Sequence, residues 1–286
     1  MNSSTLSLDW SNQQLATIPD TLWQYTSLQR LNLGENHLTT LPVEISRLHT
    51  LTHLYLHNNQ FTTLPEALGA LTNLHTLDLG HNRLTSLPES LGNLENLEIL
   101  YASDGSLTEL PASLGNLSHL RYLNATDNQL STLPDTLGSL SALVELRLYN
   151  NQITALPATL GNLHALKELH LKNNPLTHLP ETLGHLKNLM RLSLPNNRLL
   201  TLPASISYLT NLTSLDLRNN QLSVLPDLSA LTHLRYLDLR ANRLTSLPES
   251  LAALPNLERL DLRWLPLEAL PSWIPALERS GCLVYT

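Results

Sequence analysis

Apolar and polar positions alternate between two periods along this chain. In Leu74 to Asn96, LHTLDLGHNRLTSLPESLGNLEN, leucines stand at 74, 77, 79, 84, 87, 91 and 94. Leu77-Asp78-Leu79 alternates as a half-buried strand does, whereas Leu87, Leu91 and Leu94 recur at four and three, as a helical turn does. One strand, one turn and one short helix cannot close a core alone, so the unit has to stack on copies of itself.

The copies are present. Prolines fall at 19, 42, 65, 88, 111, 134, 157, 180, 203, 226, 248 and 271, every 23 residues except for a gap of 22 after Pro226. That deletion, in PDLSAL, is expected on the side away from the strands, where length varies without disturbing strand pairing. Leu77 and Leu79 are expected to point inward and the residues between them outward. Each proline suits the first turn of a short helix, where its missing N–H costs nothing. The glycines at 69, 92, 115, 138, 161 and 184 are expected to let the chain leave that helix. Asparagines recur where the chain leaves the strand: Asn36, Asn59, Asn82, Asn128, Asn151, Asn174, Asn197, Asn220 and Asn242. Buried amides there need partners, so these side chains are expected to bond backbone groups and not to form a reactive site. Two adjacent repeats depart together. Ala102 and Ala125 replace inward leucines, and Gly105 stands in the Asn position.

The segments LTHLYLHNNQF from Leu51, LHTLDLGHNRL from Leu74 and LTSLDLRNNQL from Leu212 resemble the leucine-rich repeat family, each followed by LPxxLxxL or a shortened form of it. That variant is similar to intracellular Ras-scaffold and plant Ras-related repeat proteins, and more loosely to the LPX repeats of bacterial effectors. The resemblance implies an α/β solenoid, a horseshoe with a concave parallel β-sheet and short helices or 3-10 turns on the convex side. It also implies that the Asn side chains turn inward to bond neighbouring turns. The expected organisation is one domain over 1–286: an N-terminal capping repeat over 1–27, ten central repeats over 28–256, and a C-terminal repeat and cap over 257–286. All four tryptophans are near the ends, Trp10, Trp23, Trp264 and Trp273, and together with Cys282 they are read as caps over the open core.

Composition narrows the function. Hydrophobic residues make up 42% and aromatics 5%, so the core is aliphatic. A net charge of -7 argues against a nucleic-acid partner. A lone cysteine allows neither an internal disulfide nor a Cys-based zinc site. There is no apolar run of the ~20 residues that span a bilayer, and the N-terminus does not read as a secretory signal. Cytoplasmic residence, or export to a host cell without a cleaved signal, is the expectation. No Gly-rich phosphate loop, HExxH or GxSxG occurs, so no catalytic residue is assigned and no cofactor is expected. His57, His81, Asp78, Asp104 and Glu35 carry groups that zinc accepts, but His is common in this chain and no metal site is assigned.

What remains is recognition. The expected function is a non-catalytic scaffold, monomeric, that holds a protein partner of unknown identity on its concave face. The alternatives are the recognition part of a longer ligase- or kinase-type effector, and a glycan or small-ligand surface. The candidate contact residues are the outward strand positions Tyr55, His57, Asp78, His81, Tyr101, Asp104, Tyr122, Asn124, Arg147 and Tyr149, with Tyr101, Tyr122 and Tyr149 as the centre. Tyr offers large area, a polar tip and few rotors. A second feature lies further on. Asp216, Asp238 and Asp261 form one outward column and Arg218, Arg240 and Arg263 the next, read as a self-neutralising lattice or a charged docking strip.

Overall fold

A computed structural model describes residues 6–286. Each repeat contributes a three-residue strand, and the central apolar residue of each strand pairs with its counterpart in the next. The chain divides into two units, Met1–Leu143 and Val144–Thr286. In the first, strands β1 (Ser7–Asp9), β2 (Arg30–Asn32), β3 (His53–Tyr55), β4 (Thr76–Asp78), β5 (Ile99–Tyr101) and β6 (Tyr122–Asn124) pair in order, all parallel. Leu31, Leu54, Leu77, Leu100 and Leu123 lie in one register and none is exposed. In the second, β7 (Glu145–Arg147), β8 (Glu168–His170), β9 (Arg191–Ser193), β10 (Ser214–Asp216), β11 (Tyr236–Asp238), β12 (Arg259–Asp261) and β13 (Leu283–Tyr285) follow the same rule. The expected parallel solenoid with short turns opposite the strands is the fold observed.

The turns are five-residue 3-10 helices, such as Glu89–Asn93. Proline sits one position earlier than expected, at the N-cap, where the carbonyl of Pro88 accepts the first helical bond from the Leu91 N–H at 3.1 Å. After Pro226 the shortened repeat loses its 3-10 helix altogether, and Leu228 fills the core there, fully buried. The deletion thus falls on the side away from the strands, as expected.

The glycines do something other than end helices. Among the described glycines only Gly281 has a positive φ. A Cβ on Gly92 would stand 2.5 Å from the carbonyl oxygen of Ser113, one repeat on, and Gly184 meets Ser205 in the same way. These glycines therefore let successive turns approach closely. Beside them, Glu89 and Glu181 accept the Ser113 and Ser205 amides, each at 3.1 Å.

The asparagines do what was expected. Asn82 donates to the carbonyls of Leu56 (3.0 Å) and Leu79 (2.9 Å) and accepts from the Phe61 N–H (3.1 Å). Asn59, Asn174, Asn197, Asn220 and Asn242 repeat the pattern.

The capping assignment needs one correction. Trp23 is buried and Trp10 and Trp273 are half-buried, but Trp264 is 72% exposed and covers no core. It follows β12 at the left-handed backbone position that recurs in every repeat, φ 62°. The helix α1 (Ile274–Arg279) and β13 close the end instead, with Ile274, Leu277 and Cys282 buried.

Candidate functional site on the outward face of the sheet

Strand pleating sends alternate side chains to the open face, and the structure sorts the candidates by what else holds them. In the first unit His53, Tyr55 and His57 line up along β3. The first two rings stack at 6.4 Å, and Tyr55 meets His57 edge-on at the same distance. Burial pushes the His53 imidazole pKa down, and the charges of Arg30 and His75 add to this. His57 lies over Gly34, where a Cβ would come within 2.5 Å of the ring, and its Nδ1 is 3.4 Å from an Asp78 oxygen. His81 and Asp104 form a second pair at 3.6 Å. Tyr101 and Tyr122 meet across β5 and β6 with centroids 5.1 Å apart, tilted by 50°.

Several of these polar residues also serve the backbone. Asp78 accepts the Gly80 N–H at 3.0 Å and Asn124 the Thr126 N–H at 3.1 Å, each closing the turn that leaves its strand. Asn32, Asp216 and Asp238 do the same for the amides of Gly34, Arg218 and Arg240. His81 and Asp104 stand where every repeat adopts a left-handed φ, here 54° for both. Asn, Asp and, less often, His tolerate that conformation, which explains why they dominate the column.

In the second unit Arg147 bonds Glu145 through Nε at 2.5 Å, and Tyr149 is half-buried. Glu145, Glu168 and His170 bring three donor atoms within 4.8 Å of one another, the one such group among the described residues. His170 Nε2 lies 3.1 Å from Glu168, and Arg191 pairs with Glu168 at 3.1 Å. An imidazole and two carboxylates suit a divalent transition ion, yet Arg147 and Arg191 already neutralise both carboxylates and would compete with it. The zinc-type candidates of the first unit instead form separate His–Asp pairs.

The Asp/Arg columns are only partly the exposed lattice that was expected. Arg240 grips Asp238 with Nε at 2.9 Å and a terminal nitrogen at 2.6 Å. Asp261 is fully buried and not outward-exposed, because three guanidiniums close over it: Arg263 at 2.7 Å, Arg259 at 3.1 Å and Arg240 at 3.4 Å. Burial pushes the Asp261 carboxyl up, but hydrogen bonds from Arg263 and Arg259 outweigh it and hold the group below the usual carboxylate range. Asp216 goes the other way. Burial raises it, and Arg218, 3.6 Å away, does not compensate. Beside these residues lies an open depression of about 320 Å³ lined by Ser214, Asp216, Arg218, Tyr236, Asp238, Arg240 and Arg259. Tyr236, Arg259 and Tyr285 are not among the residues singled out from sequence, and Trp264 is singled out there only as a cap. Tyr236 and Arg259 continue the first outward column, the signal that would have found them.

No described helix is long and apolar enough to cross a membrane. Leucine-rich repeat profiles match residues 4–61, successive overlapping windows from 141 to 264, residues 45–118 and residues 119–140. A search of curated proteins finds no significant match. Among solved structures, a leucine-rich repeat protein of Leptospira interrogans is 27% identical with a TM-score of 0.67, covering 99% of this chain and 96% of its own. The internalin InlF of Listeria monocytogenes is 26% identical with a TM-score of 0.80, covering 99% and 87%. The plant peptide hormone receptor RGFR1, solved in complex with RGF2, is 29% identical with a TM-score of 0.72, and here the match covers all of this chain and 56% of the receptor. With the repeat, the inward Asn bonds and the matched profiles in agreement, the chain belongs to the leucine-rich repeat family.

Proposed function

We propose that the chain is a protein-recognition module that engages its partner through the outward face of the sheet, with Tyr101 and Tyr122 as the anchor in the first unit. The observation that carries this reading is the ring pair itself: two half-exposed tyrosines on adjacent strands, 5.1 Å apart, on a face the core does not need. Aromatic pairs of this kind form the desolvated centres of protein interfaces. Tyr55, His57, Asp78, His81, Asp104 and Asn124 supply its polar surround, and Arg147 and Tyr149 are the corresponding contacts in the second unit. RGFR1 in complex with RGF2, and PEPR1 with AtPEP1, show related solenoids holding other chains.

The test begins with affinity capture by the wild-type chain and by the Tyr101→Ala/Tyr122→Ala variant. Calorimetry with each purified protein that the wild type retains then measures affinity. Loss of an interface anchor weakens binding by at least about tenfold, with the melting temperature unchanged. Equal affinity of both forms for every retained protein would refute the reading.

A further inference from the structure

The Asp/Arg strip at the end of the second unit does not neutralise itself. Four arginines, Arg218, Arg240, Arg259 and Arg263, face three aspartates, Asp216, Asp238 and Asp261. Arg240 and Arg263 are spent: each holds a carboxylate with Nε and a terminal nitrogen. The other two are not. Arg259 donates one hydrogen bond, to Asp261, and remains 45% exposed. Arg218 approaches Asp216 only to 3.6 Å, beyond hydrogen-bond length, and that carboxyl is the one whose burial favours its neutral form. A guanidinium has five N–H donors, so both keep most of theirs for another molecule. They stand at the rim of the open depression of about 320 Å³, with the 43%-exposed Tyr236 between.

A second, independent observation lies alongside. Trp264 holds φ 62°, a conformation that disfavours a bulky residue. Its ring is nonetheless in solvent, with the Arg263 and Arg240 guanidiniums 5.6 and 5.9 Å from its centre. Tyr285 sits similarly beside Arg259 and Arg263, at 4.9 and 5.3 Å. Core packing does not explain an exposed, strained tryptophan over charged heads. Every repeat is left-handed at this turn and most place Asn, Asp or His there, so the departure is the bulky ring and not the backbone. Tyr236, Arg218, Arg240 and Arg259 line the hollow and Trp264 stands against Arg240 beside it; Trp, Tyr and Arg are the residues that dominate binding energy at interfaces.

We infer that this strip is a docking site for an acidic segment of a partner protein, whose side-chain carboxylates enter the depression between Arg218 and Arg259. The inference rests on the reading of the chain as a protein-recognition module and assigns it a second contact region with its own chemistry. The partner group is a carboxylate. Every guanidinium here is already arranged around one, and a single surplus positive charge suits a short acidic stretch. A polyphosphate or nucleic acid carries a denser negative charge than a single surplus guanidinium among three aspartates offsets, whereas one or two carboxylates match it.

Fluorescence anisotropy tests this on the whole chain. The probes are a labelled peptide alternating Glu and Gly and its Gln–Gly counterpart, with inorganic phosphate as competitor at constant ionic strength. The Glu–Gly peptide is expected to bind saturably and more weakly as salt rises, the Gln–Gly peptide not to bind, and phosphate not to displace. Arg259→Gln and Arg218→Gln should each weaken binding about tenfold, the loss of a charge-assisted hydrogen bond. Arg218→Gln leaves the Asp261 cluster untouched, so it reports on docking even if Arg259→Gln lowers the melting temperature. The Tyr101→Ala/Tyr122→Ala variant should bind the peptide as the wild type does, which separates this site from the anchor of the first unit. Absence of binding, equal binding of both peptides, displacement by phosphate, indifference to both arginine changes, or loss of binding in the tyrosine variant would each overturn the inference.

Discussion

The Asn ladder of the first unit has one missing rung, and restoring it should stabilise the protein. Each ladder Asn accepts the amide 21 residues before it and donates to the carbonyls 26 and 3 residues before it, as Asn128 does with Leu107, Ala102 and Ala125. At position 105 the same geometry selects the Leu84 N–H and the carbonyls of Leu79 and Ala102. Glycine stands there. Asn82 and Asn128 already serve the two carbonyls, at 2.9 and 2.8 Å. The Leu84 N–H finds no acceptor among the described residues, although Leu84 is only 2% exposed. An orphaned buried amide costs about 1–3 kcal/mol.

Gly105→Asn should recover most of that, plus about 0.4–1 kcal/mol from a less flexible unfolded chain. Opposing it, a Cβ at 105 would lie 2.9 Å from the Asn128 side-chain oxygen, which must shift by a few tenths of an ångström. The expected net gain is about 1–3 kcal/mol, read as a higher urea midpoint. Native-state hydrogen exchange gives the sharper readout: the Leu84 amide should exchange readily in the wild type and become protected in the variant. Gly105→Ala is the control, because it adds the Cβ without the carboxamide. If Gly105→Ala gains as much as Gly105→Asn, or if the Leu84 amide is no better protected in the Asn variant, the ladder argument is wrong.

Two further changes test the packing and the charges. Gly92→Ala would favour the helical conformation in isolation, but it drives a methyl group onto the Ser113 carbonyl. It should therefore destabilise by about 1–3 kcal/mol in urea unfolding, whereas a glycine needed only to end a helix would show a gain or no change. At Asp261 the folded-state pKa is depressed, so its contribution is complete above the unfolded value of about 4 and is lost as pH falls through the folded value. Asp261→Asn should cost about 1–3 kcal/mol near neutral pH and flatten the acid limb of the stability curve. Asp216, with a raised pKa, loses stability as pH rises from the unfolded value of about 4 through its folded value, so Asp216→Asn should be neutral or stabilising at neutral pH. Urea midpoints across the acid-to-neutral range would show both, and equal costs for the two variants would contradict the assignment.

The fold was legible because the stack overdetermines it. Leu77 has to be apolar, Asn82 has to bond and Pro88 has to open a turn, and each appears at a fixed phase in repeat after repeat. What stayed hidden were contacts between repeats that no single repeat contains. The role of Gly92 depends on Ser113, one repeat on, so reading it as a helix terminator within its own unit could only miss it. Asp261 looked like one more exposed aspartate because its column is half-open in β10 and β11. It is buried because Arg259 and Arg263 on its own strand, and Arg240 next door, close over it.

The outward face carries less free information than the pattern first suggests. Of its four columns, the one holding His81 and Asp104 is set by the left-handed backbone. In the one holding Asp78 and Asn124, Asp and Asn close the turn, Asp261 excepted, whose carboxylate the arginines take. The proposed recognition would then rest on the remaining two columns and on the departures from the constrained ones. Those departures are Tyr55, Tyr101, Arg147, His170 and Ser193 where a turn-closing Asp or Asn would stand, and Glu35, Ala241 and Trp264 at left-handed positions. Tyr101 belongs to the ring pair proposed as the first anchor, and Trp264 to the arginine strip proposed as the second. A residue that the backbone disfavours persists only where something else holds it in place. Glu35, Ala241 and Trp264 all meet that criterion, and of the three only Trp264 also packs its ring against guanidiniums, which is why it is the one drawn into the proposed strip.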